Sequence, residues 1–96
     1  NAALRRQTRN QLVTALTSHA IQNDIRTYTG VAELAWLQQI LAFGWDCRAL
    51  GVPARLQCGL VGALAIDIGP DTPDLLAANG IWDPAIAPAA ALRRAA

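Results

Sequence analysis

The sequence predicts an all-α domain, a small bundle of three main helices with a short fourth. Three observations carry this. Twelve residues from Leu34 to Trp45 carry no charge, and at helical spacing they are apolar on nearly every side. Leu34, Leu37, Leu41 and Trp45 form one stripe, and Trp36, Ile40, Phe43, Cys47 and Leu50 form another roughly opposite. A helix apolar all round belongs inside other elements. Before it, Leu12, Val13, Leu16, Ala20, Ile21, Ile25 and Tyr28 trace a helical stripe. After it, Leu56, Leu60 and Leu64 repeat every four residues.

The first helix is expected over about residues 3–27, ended by Thr29-Gly30, because glycine suits the left-handed residue past a helix. The second runs over about 31–50. Glu33 complements the dipole in its first turn, Arg48 does so in its last, and Gly51-Val52-Pro53 stops it. The third covers 53–66. There Leu56, Cys58, Leu60, Gly62, Leu64, Ile66 and Ile68 also alternate as a strand would. With no second strand-like segment to pair with, helix is the expected state, although Gly59 and Gly62 each cost it about 1 kcal/mol. A short helix over 73–79 follows, with Thr72 as its cap, Pro73 in first position and Asn79-Gly80 as the stop. Residues 1–83 form one helical domain, and 84–96 form an Ala/Pro-rich tail, short-helical or frayed.

A chain of 96 residues makes a single small domain. Its hydrophobic fraction is 53%, so the apolar surplus is hard to hide inside one copy and points to association. A net charge of +1 argues against a strongly electrostatic partner for the domain as a whole. All eight basic residues are arginine, a bias of GC-rich bacterial or phage genomes. Two cysteines make no disulfide framework, no secretory signal pattern is visible, and no uncharged run reaches the ~20 residues of a spanning helix. A cytoplasmic protein is expected.

The chemistry-bearing patterns are few. Cys47, Leu50, Gly51, Val52 and Leu60 loosely follow a helix-turn-helix, but Gln57 stands where that motif wants an apolar residue. Its second helix would offer only Arg55 and Gln57 to a base edge. Arg5, Arg6 and Arg9 lie within two turns and suit phosphates, with no aromatic residue interleaved. Asp67, Asp71 and Asp74 lack the alternation and terminal glutamate of a calcium loop, so helix capping suits them better. His19 with Cys47 or Cys58, helped by Asp24 or Asp46, is the one conceivable nucleophilic set, and no catalytic motif supports it.

The expected function is therefore a non-catalytic helical interaction module, acting as a homodimer or as a small subunit, adaptor or inhibitor of a larger protein. No enzyme activity, cofactor or metal is expected. Trp36, Leu37, Ile40, Leu41 and Trp45 are the expected interface, because tryptophan anchors interfaces well. The alternative is a DNA-binding regulator using Arg5, Arg6, Arg9 and Arg55.

Overall fold

Seven elements follow one another along the chain in the computed structural model, which describes residues 1–57 and 59–87. They are α1 (Ala2–Gln22), β1 (Thr27–Glu33), α2 (Leu34–Leu41), β2 (Asp46–Ala49), β3 (Ala54–Leu56), β4 (Gly59–Asp67) and α3 (Thr72–Ala78). The architecture is α+β, so the all-α bundle is overturned. The expected helix 31–50 divides into the end of β1, the eight-residue α2 and the strand β2. The expected helix 53–66 is β3 and most of β4. The helix-turn-helix pattern from Cys47 to Leu64 falls on β2, β3 and β4, which leaves no recognition helix there, and Arg55 stands on a strand.

β4 is the centre of a four-stranded antiparallel sheet. β1 pairs along it from Thr27↔Asp67 to Glu33↔Val61. On the other edge β2 takes the Asp67 end and β3 the Gly59 end, one after the other. Between them Leu50 N donates to Ala63 O at 2.8 Å. The alternation of Leu60 to Ile68 is thus a strand period. Leu64 and Ile66 turn to the helices and are buried, with Ile68 just beyond the strand. On the opposite face Val31 stays 72% exposed on the edge strand, while Ala65 in the central strand is buried.

Val13, Leu37, Phe43, Trp45, Leu64, Ile66, Leu76 and Ile81 belong to one core cluster. α2 reaches it through Leu37, which lies against Gly62: a Cβ there would come within 2.6 Å of Leu37 Cδ2. α1 turns an unexpected face inward. Val13, Thr14, Thr17, Ser18 and Ala20 are buried, whereas Leu12 and Leu16 are exposed. Small side chains let the helix approach α3 and the segment after it closely. Asp83 N donates to Thr14 Oγ1 at 2.9 Å, and Asn10 Nδ2 donates to Gly80 O at 3.2 Å.

α1 starts on Asn1, whose Oδ1 accepts from Leu4 N at 2.8 Å, and it gives way to the strand at Asp24, in the left-handed region (φ 56°). Asp71 is the N-cap of α3, while Thr72 accepts a hydrogen bond from Gly69 N instead of capping. Gly80 (φ 71°) stops α3, and Ile81 N returns to Leu76 O at 2.9 Å. The tail residues Asp83 to Ala87 form a turn, and the expectation for 88–96 lies outside the described residues.

Gly44 carries the turn from α2 into β2 at φ 106°. A Cβ there would collide with the Asn79 side chain and stand 2.9 Å from Leu75 O. Gly44→Ala combines a left-handed alanine with that collision and is expected to cost ~2 kcal/mol or more. Urea unfolding should show a lower midpoint at unchanged slope. An unshifted midpoint contradicts the close packing of this turn on α3.

Candidate binding groove

No acidic residue occurs before Asp24, so the first half of α1 carries only positive charge. Its first seven residues are exposed. Arg5, Arg9, Leu12 and Leu16 recur at helical spacing and form one stripe. α2 leaves β1 beside this stripe and presents Trp36, with Gln39 one turn on. Arg5, Arg6, Arg9, Leu12, Trp36 and Gln39 together line an open groove of about 580 Å³.

The arginines differ in how firmly they are held. Two N–H groups of Arg9 donate to Asn10 Oδ1 at 3.1 and 2.9 Å, and its guanidinium stands 5.4 Å from the centre of the Phe43 ring. Such a contact contributes about 0.5–2 kcal/mol, depending on desolvation. Arg5 and Arg6 make no ion pair or side-chain hydrogen bond among the described residues. Phe43 in turn meets Trp36 edge-on at 6.4 Å and Trp45 at 5.8 Å. One aromatic chain therefore runs from the core outward to Trp36, which is 44% exposed. The groove offers two unpaired cations, one fixed cation and an amphipathic aromatic wall.

The expected interface set separates by depth. Leu37 and Trp45 are core residues, and Trp45 Nε1 donates to Ile40 O at 2.9 Å. Ile40 is half-buried against the core. Trp36 and Leu41 are the members that reach the surface. Arg55 stands apart on β3, beside a second hollow that Glu33 and Gln38 also line. The meeting of Trp36 with Arg5, Arg6 and Arg9 escaped the sequence reading, because the residues lie on separate elements with no local spacing rule to join them.

His19 is exposed on α1 and lies 3.2 Å from Asn23 Nδ2. Cys47 is half-buried on β2, and burial pushes its thiol up, with Asp46 and Asp67 adding to the rise against Arg48. A thiol so shifted is a poor nucleophile at neutral pH. Cys58 lies outside the described residues. Among the described residues no three acidic, histidine or cysteine groups gather to hold a metal. No described helix is long and apolar enough to cross a membrane.

On the open sheet face, Asp67 accepts from Thr27 Oγ1 at 2.8 Å and pairs with Arg48, tying three strands together. The hydrogen bonds from Thr27 and Arg48 hold its carboxyl below the usual aspartate range. No family model, curated protein or solved structure matches this chain.

Two outcomes are expected from this geometry. Trp45→Ala should cost ~3–5 kcal/mol, as for a buried aromatic. Trp36→Ala should leave a folded protein with unchanged circular dichroism, and equal destabilisation of the two would contradict the division by depth. For Asp67 the folded value is depressed, so its stabilising effect is present above the unfolded aspartate value and is lost as pH falls through the folded one. Carboxyl NMR should find Asp67 protonating below the ordinary range, and Arg48→Ala or Thr27→Val should raise that midpoint. An unmoved midpoint removes the cluster as the cause.

Proposed function

We propose that this protein is a non-catalytic binding module that takes an acidic, amphipathic segment of a partner protein into the arginine–tryptophan groove. The supporting observation is the joining of unpaired Arg5 and Arg6 to exposed Leu12 and Trp36 in one depression. Guanidinium groups bind carboxylates through paired N–H donors. Leu12 (56% exposed) and Leu16 (41% exposed) extend the same stripe and need apolar cover, which a phosphate backbone does not supply. A segment with carboxylates on one flank and aliphatic anchors on the other matches both demands. Trp36 is the expected anchor, with an aromatic wall already braced by Phe43. The free thiol of Cys47 is in keeping with a cytoplasmic location.

A nucleic-acid reading rests on the same groove. Arg5, Arg6 and Arg9 would contact phosphates of a single strand while Trp36 stacks on a base. The two readings separate in one titration. A helical peptide bearing Glu and Leu on adjacent faces, the same peptide with Lys for Glu, and an oligothymidine are titrated at two salt concentrations. The Glu peptide should bind, the Lys peptide should not, and Trp36→Ala should weaken binding by ~2 kcal/mol, about thirtyfold. Arg5→Ala with Arg6→Ala should weaken it further and reduce its salt dependence. Oligothymidine binding whose salt slope falls in that double variant supports the second reading. Silence from all three probes overturns both.

A further inference from the structure

We propose that the outer edge of β1 is a homodimerisation surface, on which a second copy of this chain lays its own β1 antiparallel across a two-fold axis at Gly30. The ladder direction comes from its end: Ile68 N donates to Arg26 O at 2.8 Å, one step beyond Thr27↔Asp67. Bonded pairs alternate along an antiparallel ladder. Tyr28, Gly30 and Ala32 therefore turn their peptide groups to β4, while Thr27, Thr29, Val31 and Glu33 turn theirs outward. The bond from Leu50 N to Ala63 O sets the same parity on the far side of β4.

This edge lacks the usual safeguards. β1 contains no lysine, proline or bulge, and its pairing with β4 is unbroken from Thr27 to Glu33. The opposite edge is guarded. β2 and β3 are only 4 and 3 residues long, Gly51 (φ 96°) and Pro53 interrupt them, and Asp46, Arg48 and Arg55 charge them.

β1 also complements itself. A two-fold axis at Gly30 sets Thr29 opposite Val31 of the second copy and Thr27 opposite Glu33, so all the outward peptide groups pair. Gly30 then faces itself in the close, non-bonded position, where Cα atoms approach ~4.5 Å and a side chain would crowd. The space beside Gly30 is open. Thr29 and Val31 form two β-branched cross-strand pairs, which favour association. On the helical side, Tyr28 O–H donates to Leu16 O at 2.8 Å, which ties the edge strand to α1. The result is one continuous eight-stranded sheet.

Val31 is the residue to test, because its exposure lets a monomer accept other side chains there. Sedimentation of the full chain over a dilution series should give twice the chain mass for the native protein and for Val31→Thr. Val31→Lys sets two like charges diagonally across the axis, so its mass should halve with circular dichroism unchanged. Amide hydrogen exchange supplies the second readout. Thr29 should exchange as slowly as Tyr28 in the dimer, and about tenfold faster or more in Val31→Lys, while Tyr28 remains protected. A native chain that stays monomeric at every concentration, a dimer that survives Val31→Lys, or a Thr29 amide as fast as an exposed one overturns the proposal. The groove arginines are not used here, so peptide binding in Val31→Lys reports on the groove alone.

Discussion

Every sheet partner in the described structure pairs with β4, so the demand for hydrogen bonds on both edges of that strand organises the molecule. Its even-numbered residues bond β1 and its odd-numbered residues bond β2, while Leu64 and Ile66 carry the core on the helical face. A strand buried on one face and flanked on both sides has no freedom to slip, because a one-residue shift would turn Leu64 and Ile66 to solvent. α2 can sit on the sheet only because Gly62 leaves room for Leu37.

The placement of α1 follows from the same core. Leu64, Ile66, Ile81 and the aromatic residues of 43–45 already fill the apolar space. What the core asks of α1 is close approach, and threonine, serine and alanine allow it at Thr14, Thr17, Ser18 and Ala20. Thr14 is satisfied there by accepting from Asp83 N. The cost is that Leu12 and Leu16 face water, on the same stripe as Arg5 and Arg9. The apolar surplus noted in the composition thus becomes a surface property.

Phe43 connects that surface to the interior. It touches Trp45 on the core side, Trp36 on the outer side and the Arg9 guanidinium from above. Arg9 is therefore part of the packing, whereas Arg5 and Arg6 extend beyond it. A groove whose wall is braced by a buried ring and whose rim is cationic needs little rearrangement to receive a partner, which favours binding.

Local signals were enough to mark α1 and α3. The stripe from Leu12 to Ile25 marks a helix, although it picks a face that leaves Leu12 and Leu16 exposed, and Pro73 with the Asn79-Gly80 stop marks α3, since helical period and stop signals are local. The alternation from Leu60 to Ile68 was equally visible, and so was the helix penalty of Gly59 and Gly62. No neighbouring window offers an evident pairing strand, although Thr27, Tyr28, Thr29 and Val31 have the β-branched and aromatic composition of one. Tyr28 also fitted the helical stripe of the first segment, and Gly30 fitted a helix stop, so the period misassigned β1. The choice between helix and strand for 27–33 and 59–67 is made by their pairing from Glu33↔Val61 to Thr27↔Asp67, a non-local gain that no single window contains. The groove has the same origin: charge on α1 and an aromatic ring on α2 were each legible, and only the packing of both helices on one sheet brought them together.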